Sequence, residues 1–137
     1  MNTFTMIELL VTPRNENIIS EFLHSYMNIR FVREDNERCL IVVNGNNMLV
    51  GIGYSYNNFL KYLCIHSDYR RMGIGRRIVN KFLESFEIII LEIPLMLYIG
   101  KDDSNVDTIM FGSTAMNFYS KYFNLTTVSE NLYSISR

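Results

Sequence analysis

Three short apolar segments in the middle of the chain, separated by asparagine-rich turns, constrain the fold more than any other feature. Cys39 to Val43 is a compact β-branched run, Met48 to Tyr56 resumes as a strand, and Phe59 to Ile65 follows as the third. The first two are joined by Asn44-Gly45-Asn46-Asn47, and Asn-Gly suits a turn that needs positive φ. Consecutive strands with such short connections pair as hairpins, so the centre of the protein is predicted to be an antiparallel sheet.

Apolar residues before and after these strands recur at helical spacing. Phe4 to Val11 is apolar enough for a first strand, and Thr12-Pro13 then offers an N-cap and a proline at the first helical position. From Gly73 onward the pattern becomes helical again. A helix with one apolar stripe packs that face against a sheet. The two stripes are Ile18, Ile19, Phe22, Leu23 and Tyr26 in the first helix, and Ile74, Ile78, Val79, Phe82, Leu83 and Phe86 in the second.

The last third of the chain predicts further strands and one short helix. Ile88 to Ile93 either continues the second helix or forms a separate extended piece, and Leu95 to Ile99 predicts a strand. Thr114 to Tyr122 predicts a short helix, and Leu125 to Ser136 predicts one or two final strands. The predicted fold class is therefore α+β: a mixed, mostly antiparallel central sheet with helices on both faces, in a single domain over residues 1–137.

Composition narrows the class of protein. With 137 residues, 48% of them hydrophobic and 13% aromatic, the chain can bury a sizeable core. A net charge of -1 gives no general electrostatic reason to bind nucleic acid or an anionic membrane. Cys39 and Cys64 lie in apolar strands and predict reduced core thiols, and the chain has no CxxC pair that would predict a metal site. No secretory signal is visible, so we expect a cytoplasmic protein without a metal, membrane or nucleic-acid partner.

The segment from Leu60 to Ile78 carries the chemistry, because it switches from strand to helix at a glycine-containing turn. N–H groups in the first turn of a helix have no internal partner, and the helix dipole adds positive charge there. Gly73 and Gly75 let a phosphate approach the main chain. Together with nearby guanidinium groups, these features predict a site for a pyrophosphate. Four arginines lie within eight positions: Arg70, Arg71, Arg76 and Arg77.

Two structural explanations compete with an anion site. Glycines between a strand and a helix can serve the turn alone, and an arginine cluster can be a solvated face. The coincidence of both features with the strand-to-helix switch favours the anion site. A dinucleotide-binding fold is a weaker alternative, because its fingerprint requires a third glycine where Ile78 stands. Several strands before the turn also oppose an early βαβ unit.

The turn reads Arg70-x-x-Gly73-x-Gly75, which resembles the (Gln/Arg)-x-x-Gly-x-(Gly/Ala) signature of the GNAT superfamily of N-acetyltransferases. Ser67 stands where the family often has proline, and Arg71 where it often has glycine. In the C-terminal part, the segment 115–119 reads Ala-Met-Asn-Phe-Tyr and is similar to the family's Ala-x-x-aliphatic-Tyr, whereas the usual Gly-Phe after it is missing. Gly112 replaces an asparagine common in the family. The wider similarity includes Leu60, Leu63, Ile65, Tyr69, Arg70, Gly73, Ile74 and Gly75.

The resemblance implies acetyl-coenzyme A as the donor, and direct attack on its thioester by a primary amine of a small molecule or a protein. It implies a coenzyme held between the strand that ends at Ile65 and the strand Leu95 to Ile99, with the pantetheine arm paired to main-chain groups of Leu63, Cys64 and Ile65. Tyr119 either donates a proton to the departing thiolate or simply packs a helix against the sheet. The residues expected around the pyrophosphate are Arg70, Arg71, Met72, Gly73, Ile74, Gly75 and Arg76.

Several side chains leave the chemistry open. Phe59 stands where some family members carry a glutamate, so the sequence does not single out a general base. Cys64 offers either a covalent route or an inert buried thiol, of which the inert thiol is favoured. His24 is expected in a structural role and His66 in a turn. The candidate bases are Glu8, Glu34, Glu37 and a chain of waters.

The acceptor and the partners follow from weaker patterns. Acidic residues in Glu34-Asp35-x-Glu37 and in Asp102 to Asp107 could attract a cationic amine, although ordinary loop charge explains them equally well. The apolar run Ile88 to Ile93 favours packing against a second copy, and hence a homodimer. The leading function is an acetyl-coenzyme A-dependent N-acetyltransferase. The alternatives are a catalytically silent acyl-coenzyme A-binding or regulatory module, and a structural interaction domain.

Overall fold

The structure, a computed structural model, describes residues 3–93 and 115–137. By their internal contacts, the residues form two compact units, Met1–Phe82 and Leu83–Arg137. The predicted strand Leu95–Ile99, the loop Lys101–Asp107 and Gly112 lie outside the described residues. The elements in chain order are β1 (Phe4–Leu9), α1 (Pro13–Met27), β2 (Glu37–Asn44), β3 (Leu49–Tyr56), β4 (Phe59–Ile65), a 3-10 turn (Ser67–Tyr69), α2 (Ile74–Leu83), β5 (Ile89–Glu92), α3 (residues 115–122), β6 (Asn124–Ser129) and β7 (Leu132–Ser136).

The first unit contains the four strands β1 to β4, paired in chain order as antiparallel neighbours. One cross-strand row runs through Ile7, Ile41, Ile52 and Cys64. The three central strands predicted from the sequence are therefore confirmed. Their apolar and β-branched residues suit strands whose two faces are both packed against other parts of the protein.

The β2–β3 turn differs from the prediction in where its unusual backbone lies. Positive φ occurs at Asn47, with a value of 62°, and not at the Asn44-Gly45 pair. The Asn47 N–H donates to the Asn44 carbonyl at 3.0 Å, and the Asn44 N–H donates to the Met48 carbonyl at 2.9 Å. This arrangement is a tight turn followed by one left-handed residue, which is the common three-residue hairpin connection.

Helix α1 covers one face of the four-stranded sheet. The Thr12 side chain accepts from the Asn15 N–H, and the Asn15 side chain accepts from the Thr12 N–H, so the predicted N-cap is confirmed as a reciprocal capping box. Ile18 does not belong to the buried stripe, since it is 57% exposed. Its side chain points about 100° around the helix axis from that of the buried Ile19. The core on this face comprises Ile19, Phe22, Leu23, Cys39, Ile52, Tyr54, Tyr62 and Cys64, among others.

Helix α2 covers the opposite face, where β3 has glycines at alternate positions. A Cβ atom added to Gly51 would lie 2.9 Å from Cγ2 of Ile74, and one added to Gly53 would lie 2.2 Å from Cγ2 of Ile78. Because successive residues of a strand face opposite sides, Ile52 lies on the α1 side while its two glycine neighbours receive α2. Helices on both faces of the sheet are therefore confirmed. Phe86, predicted as part of the stripe, lies beyond the end of the helix at Leu83.

The second unit pairs β5 with β7 and β7 with β6, each antiparallel. The run Ile88 to Ile93 is a strand and not a continuation of the helix. Ile89, Leu91 and Ile93 are each 2% exposed, whereas Ile88 is 49% exposed. The run thus packs mostly within its own chain. Its apolar residues therefore no longer favour a homodimer. The separate extended piece, one of the two alternatives for this run, is therefore the correct one and forms β5.

The α+β class with mostly antiparallel strands is confirmed, since every strand pairing within the two units is antiparallel. Two final strands, rather than one, form the C-terminal hairpin. A single domain over residues 1–137 stays a prediction. In the part of the chain that the structure describes, no helix has the length and apolar character needed to cross a bilayer.

Candidate functional site

The candidate site begins at the end of β4, where main-chain groups alternate in direction. The His66 N–H donates to the Val50 carbonyl at 2.8 Å, which makes these two residues a hydrogen-bonded pair. In an antiparallel ladder such pairs alternate with non-bonded ones. Cys64 is therefore bonded to β3 through its N–H and C=O groups. The corresponding groups of Leu63 and Ile65 point to the other side of β4.

Residues 66–73, here called the junction loop, connect β4 to α2. They begin with the 3-10 turn Ser67–Tyr69, as the turn role predicted for His66 requires. The Arg70 Nε donates to the Ile65 carbonyl at 3.3 Å, which is consistent with that carbonyl pointing away from β3. Arg70 thus ties the loop to the end of the strand.

Two residues of the junction loop adopt left-handed backbone. Arg71 has a φ of 65° and Gly73 a φ of 81°. This conformation explains why the family pattern has glycine at the position of Arg71, since a residue without Cβ adopts it at little cost. A Cβ on Gly73 would have no atom within 4 Å, so Gly73 serves the backbone conformation and not a close side-chain contact.

The first turn of α2 has the electrostatics of an anion site. The Arg77 N–H donates to the Gly73 carbonyl at 3.1 Å, which is the first hydrogen bond of the helix. Helix geometry supplies no acceptor within the helix for the N–H groups of Ile74 and Gly75. The partial positive charge of the helix dipole is concentrated at the same place. The exposed side chains around it are those of Arg70, Arg71, Met72, Arg76 and Arg77.

The thiol of Cys64 is close in sequence to this site but faces the core. Its side chain is 1% exposed and belongs to the α1 side of the sheet. Burial raises the pKa of the Cys64 thiol to about 12, and the charge of Arg70 only partly opposes that rise. Since the thiolate is the nucleophilic form, the inert thiol is the role that the structure favours. Cys39, also unpaired, has a pKa raised to about 12 by burial.

Two of the three candidate bases are bound to arginines. Glu8 accepts from Arg38 at 2.8 Å, and this hydrogen bond holds the pKa of Glu8 below its usual range. Glu37 accepts from Arg33 at 2.6 Å, which likewise lowers the pKa of Glu37. A carboxylate with a lowered pKa is a weaker base than an ordinary one. Neither Glu8 nor Glu37 is suited to accept a proton from an ammonium group.

The third candidate, Glu34, is held in a loop that the sheet anchors. Its carboxylate lies 2.5 Å from the Lys61 Nζ. The Glu34 N–H donates to the Tyr54 hydroxyl at 2.8 Å, and the Val32 N–H donates to the Tyr62 hydroxyl at 3.1 Å. With Glu34 and Glu37 both in ion pairs, the acidic segment 34–37 is largely neutralised within the chain. That finding favours ordinary loop charge over attraction of a cationic acceptor.

Tyr119 lies in α3, in the second unit, and its side chain is buried. Its ring contacts Phe118, with centroids 5.0 Å apart, and lies 6.5 Å from the ring of Phe123. Burial raises the pKa of Tyr119, so the phenol keeps its proton at neutral pH. Its burial among aromatic rings is consistent with packing, and both roles, packing and proton donation, stay predictions.

The remaining candidates are His24 and residue types that could ligate a metal. His24, expected in a structural role, lies exposed in the last turn of α1. Across residues 3–93 and 115–137, no three side chains of His, Cys, Asp or Glu are grouped so that they could hold a metal ion.

Sequence reasoning missed the contacts that hold the junction loop against distant strands. The Asn44 Nδ2 donates to the Tyr69 hydroxyl at 3.1 Å, and the ring of Phe4 meets that of Tyr69 edge-on at 6.0 Å. Asn44 was expected only as a turn residue. No periodicity or spacing indicates such a pair, because the partners are 25 residues apart and on different elements.

Comparison with protein families gives one match: the model of the Acetyltransferase (GNAT) family matches residues 5–109. This range is more than half of the chain and includes β4, the junction loop and α2. It ends before Tyr119. No curated protein matches the sequence.

Solved structures with the same fold cover nearly the whole chain. An acetyltransferase of the GNAT family from Staphylococcus aureus Mu50 is 17% identical, with a TM-score of 0.61 over 98% of this chain and 99% of that one. YhhK from Escherichia coli, solved by NMR with bound coenzyme A, is 16% identical, with a TM-score of 0.62 over 98% and 99%. A variant of the spermidine N-acetyltransferase SpeG from Vibrio cholerae is 12% identical, with a TM-score of 0.63 over 96% and 91%.

Proposed function

The chain belongs to the GNAT family of acetyltransferases, and on that premise we propose that it transfers an acetyl group from acetyl-coenzyme A to a primary amine. The observation that carries the proposal is the junction loop. Its left-handed residues Arg71 and Gly73 lead directly into the first turn of α2, among exposed arginines. That combination suits the pyrophosphate of a coenzyme A.

The end of β4 supports a place for a second part of the coenzyme, the pantetheine arm. The outward main-chain groups of Leu63 and Ile65 suit the amide groups of a pantetheine arm, which would pair with β4 as an added strand. Cys64 would lie beside the pantetheine arm without hydrogen-bonding to it, because its main-chain N–H and C=O groups already pair with β3. The residues proposed around the pyrophosphate are Arg70, Arg71, Met72, Gly73, Ile74, Gly75 and Arg76.

The thioester supplies an activated acetyl group. The protein therefore has to bind and orient the two substrates and to provide for the proton transfers. A primary alkylammonium has a pKa of about 10 and must lose a proton before it attacks directly. The ion pairs of Glu8, Glu34 and Glu37 argue against all three as the base, which favours water. We propose Tyr119 as the proton donor to the departing thiolate. Its raised pKa keeps the phenol protonated but also makes it a weaker acid than an ordinary tyrosine.

The acceptor is proposed as a class only. The SpeG neighbour is a spermidine N-acetyltransferase, so an amine of a small molecule is the natural candidate, and an amine of a protein is proposed beside it. A cytoplasmic location belongs to the same proposal. It is supported by Cys39 and Cys64, two unpaired buried thiols of the kind that reducing compartments maintain.

A catalytically silent acyl-coenzyme A-binding module is the second candidate. The engagement of all three candidate carboxylates by Arg38, Lys61 and Arg33 favours it, because the described residues then offer no obvious base. Both candidates require coenzyme binding. Only the first requires consumption of the thioester in the presence of an amine.

Calorimetric titration with coenzyme A, followed by a thioester-consumption assay with a panel of amines, separates these candidates. We expect wild type to bind coenzyme A and to be stabilised against heat by it, since a ligand of the native state raises its stability. The double variant Arg70→Glu, Gly73→Asp should lose both effects while staying folded. The matched control is Arg14→Glu, Asn17→Asp, which makes the same change in charge on exposed residues of α1.

Retention of coenzyme binding by the junction-loop variant would refute the proposed site. Equal loss in the control variant would instead indicate a general charge effect. Coenzyme binding without thioester consumption for any amine would support the silent module.

A further inference from the structure

The polar groups of His66 hold together the end of β4 and the start of the junction loop. Its N–H donates to the Val50 carbonyl at 2.8 Å, which is the last rung between β3 and β4. Its carbonyl accepts from the Tyr69 N–H at 2.9 Å, and its Nδ1 accepts from the Asp68 N–H at 3.1 Å. Three hydrogen bonds of one residue thus fix the turn.

The ring of His66 is held between two tyrosines, one in α1 and one in the 3-10 turn of the junction loop. Its centroid lies 4.4 Å from that of Tyr26 in α1, in a tilted stack, and 5.3 Å from that of Tyr69, edge-on. Tyr69 is in turn fixed by the Asn44 side chain and by the ring of Phe4. The imidazole therefore has one orientation, in which Nδ1 faces the Asp68 N–H.

This arrangement matters because the residues that follow are strained. Left-handed backbone at a non-glycine residue such as Arg71 costs free energy and persists only where its surroundings hold it. A loop already held in its binding conformation loses less conformational freedom when a ligand binds. The geometry points to His66 as a positioning residue: its Nδ1 acceptor holds the 3-10 turn so that Arg70 to Gly73 are preorganised for a pyrophosphate. This inference rests on the proposed function.

Two substitutions separate the acceptor of His66 from its ring. His66→Asn keeps a side-chain oxygen that can accept from the N–H two residues later, and loses the stacking on Tyr26. His66→Phe keeps an aromatic ring against Tyr26 and loses the acceptor. The affinity of each variant for coenzyme A is measured by calorimetry, beside its thermal midpoint. We expect His66→Phe to bind coenzyme A about fivefold more weakly, as the loss of one net hydrogen bond predicts, and His66→Asn to bind like wild type.

Wild-type affinity in His66→Phe, or equal weakening in both variants, would overturn the role of Nδ1. Failure of wild type itself to bind coenzyme A would refute the proposed function. The role of His66 is then decided in the ligand-free protein by NMR measurement of amide hydrogen exchange at Asp68. Exchange should be about fivefold faster in His66→Phe than in wild type, with His66→Asn unchanged. Equal exchange in all three proteins would overturn the inference.

Discussion

Gly53 and Ile78 lie so close together that a Cβ atom on the glycine would stand 2.2 Å from Cγ2 of the isoleucine. The ring of Phe82 would lie 2.9 Å from the same Cβ. Contacts this short cannot persist, so any side chain at Gly53 would push α2 away from β3. The close packing of α2, the helix that follows the junction loop, on β3 therefore depends on the absence of a side chain at Gly53.

We therefore expect Gly53→Ala to lower the free energy of unfolding by about 2 kcal/mol, as overpacking of a well-filled core does. Gly45→Ala is the matched control, because Gly45 has no atom within 4 Å of its Cβ position and no positive φ. It should change stability by less than about 0.5 kcal/mol. Urea denaturation of both variants measures the difference, and equal stabilities would contradict the close packing of α2 on β3.

The left-handed residues of the junction loop predict opposite effects of glycine and alanine. Gly73→Ala should cost about 1 kcal/mol of stability through its φ of 81°, without any steric clash. Arg71→Gly should cost nothing or stabilise slightly, because it relieves a left-handed non-glycine residue. Thermal unfolding of both variants tests this. A destabilised Arg71→Gly protein would mean that the arginine side chain contributes more than its backbone strain costs.

The buried thiols predict a loss of stability at alkaline pH. Cys39 and Cys64 have a folded-state pKa of about 12, raised by burial above the ordinary value. The stability that each buried, protonated thiol contributes is complete below the thiol pKa of the unfolded chain. It is lost as the pH rises from that value through the thiol pKa of the folded protein. In between, each thiol should reduce the free energy of unfolding by up to about 1.4 kcal/mol per pH unit.

The measurement compares wild type with Cys64→Ala in urea titrations from about pH 8 to pH 10.5, above and below the ordinary thiol pKa. The variant should lose stability less steeply as the pH rises. Parallel curves would show that Cys64 ionises equally in the folded and unfolded chains. A thiol reagent should correspondingly react with native wild type far more slowly than with the unfolded protein.

Tyr119→Phe tests the proposed proton donor. Removing one hydroxyl that donates in the transition state should lower kcat by about a hundredfold and leave the KM for acetyl-coenzyme A nearly unchanged. Tyr122→Phe, on the exposed side of the same helix, is the control and should keep full turnover. Undiminished kcat in Tyr119→Phe would leave Tyr119 as a packing residue only.

Local features of the sequence were predicted well, because short-range interactions decide them. Thr12 and Pro13 place the start of α1, and the three central strands lie where their β-branched runs indicated. The hairpin at Asn44 was also correct, although its left-handed residue is Asn47. Asparagine tolerates this backbone better than most residues, and which asparagine of a run adopts it depends on the register of the strands on each side.

The partners of two candidate bases, Glu8 and Glu34, were beyond prediction from sequence. Glu8 and Arg38 are 30 residues apart, and Glu34 and Lys61 are 27 apart. Their pairing depends on which strands become neighbours and with what register, and one residue of slippage would place the strand residues Glu8, Arg38 and Lys61 on the opposite face. The burial of Ile89 and Leu91 is a similar case, since an apolar run alone does not reveal what covers it.

The amino-acid sequence by itself determined the order of elements from β1 to α2, the α+β class and the pattern of glycines and arginines around Gly73. Those properties follow from spacing, capping and turn residues, which act over a few positions. Tertiary structure alone decided that Leu63 and Ile65 point their main chain outward while Cys64 does not, and that Gly53 receives Ile78. Strand register and helix packing join residues far apart in the chain, and they depend on the whole sheet rather than on any local segment.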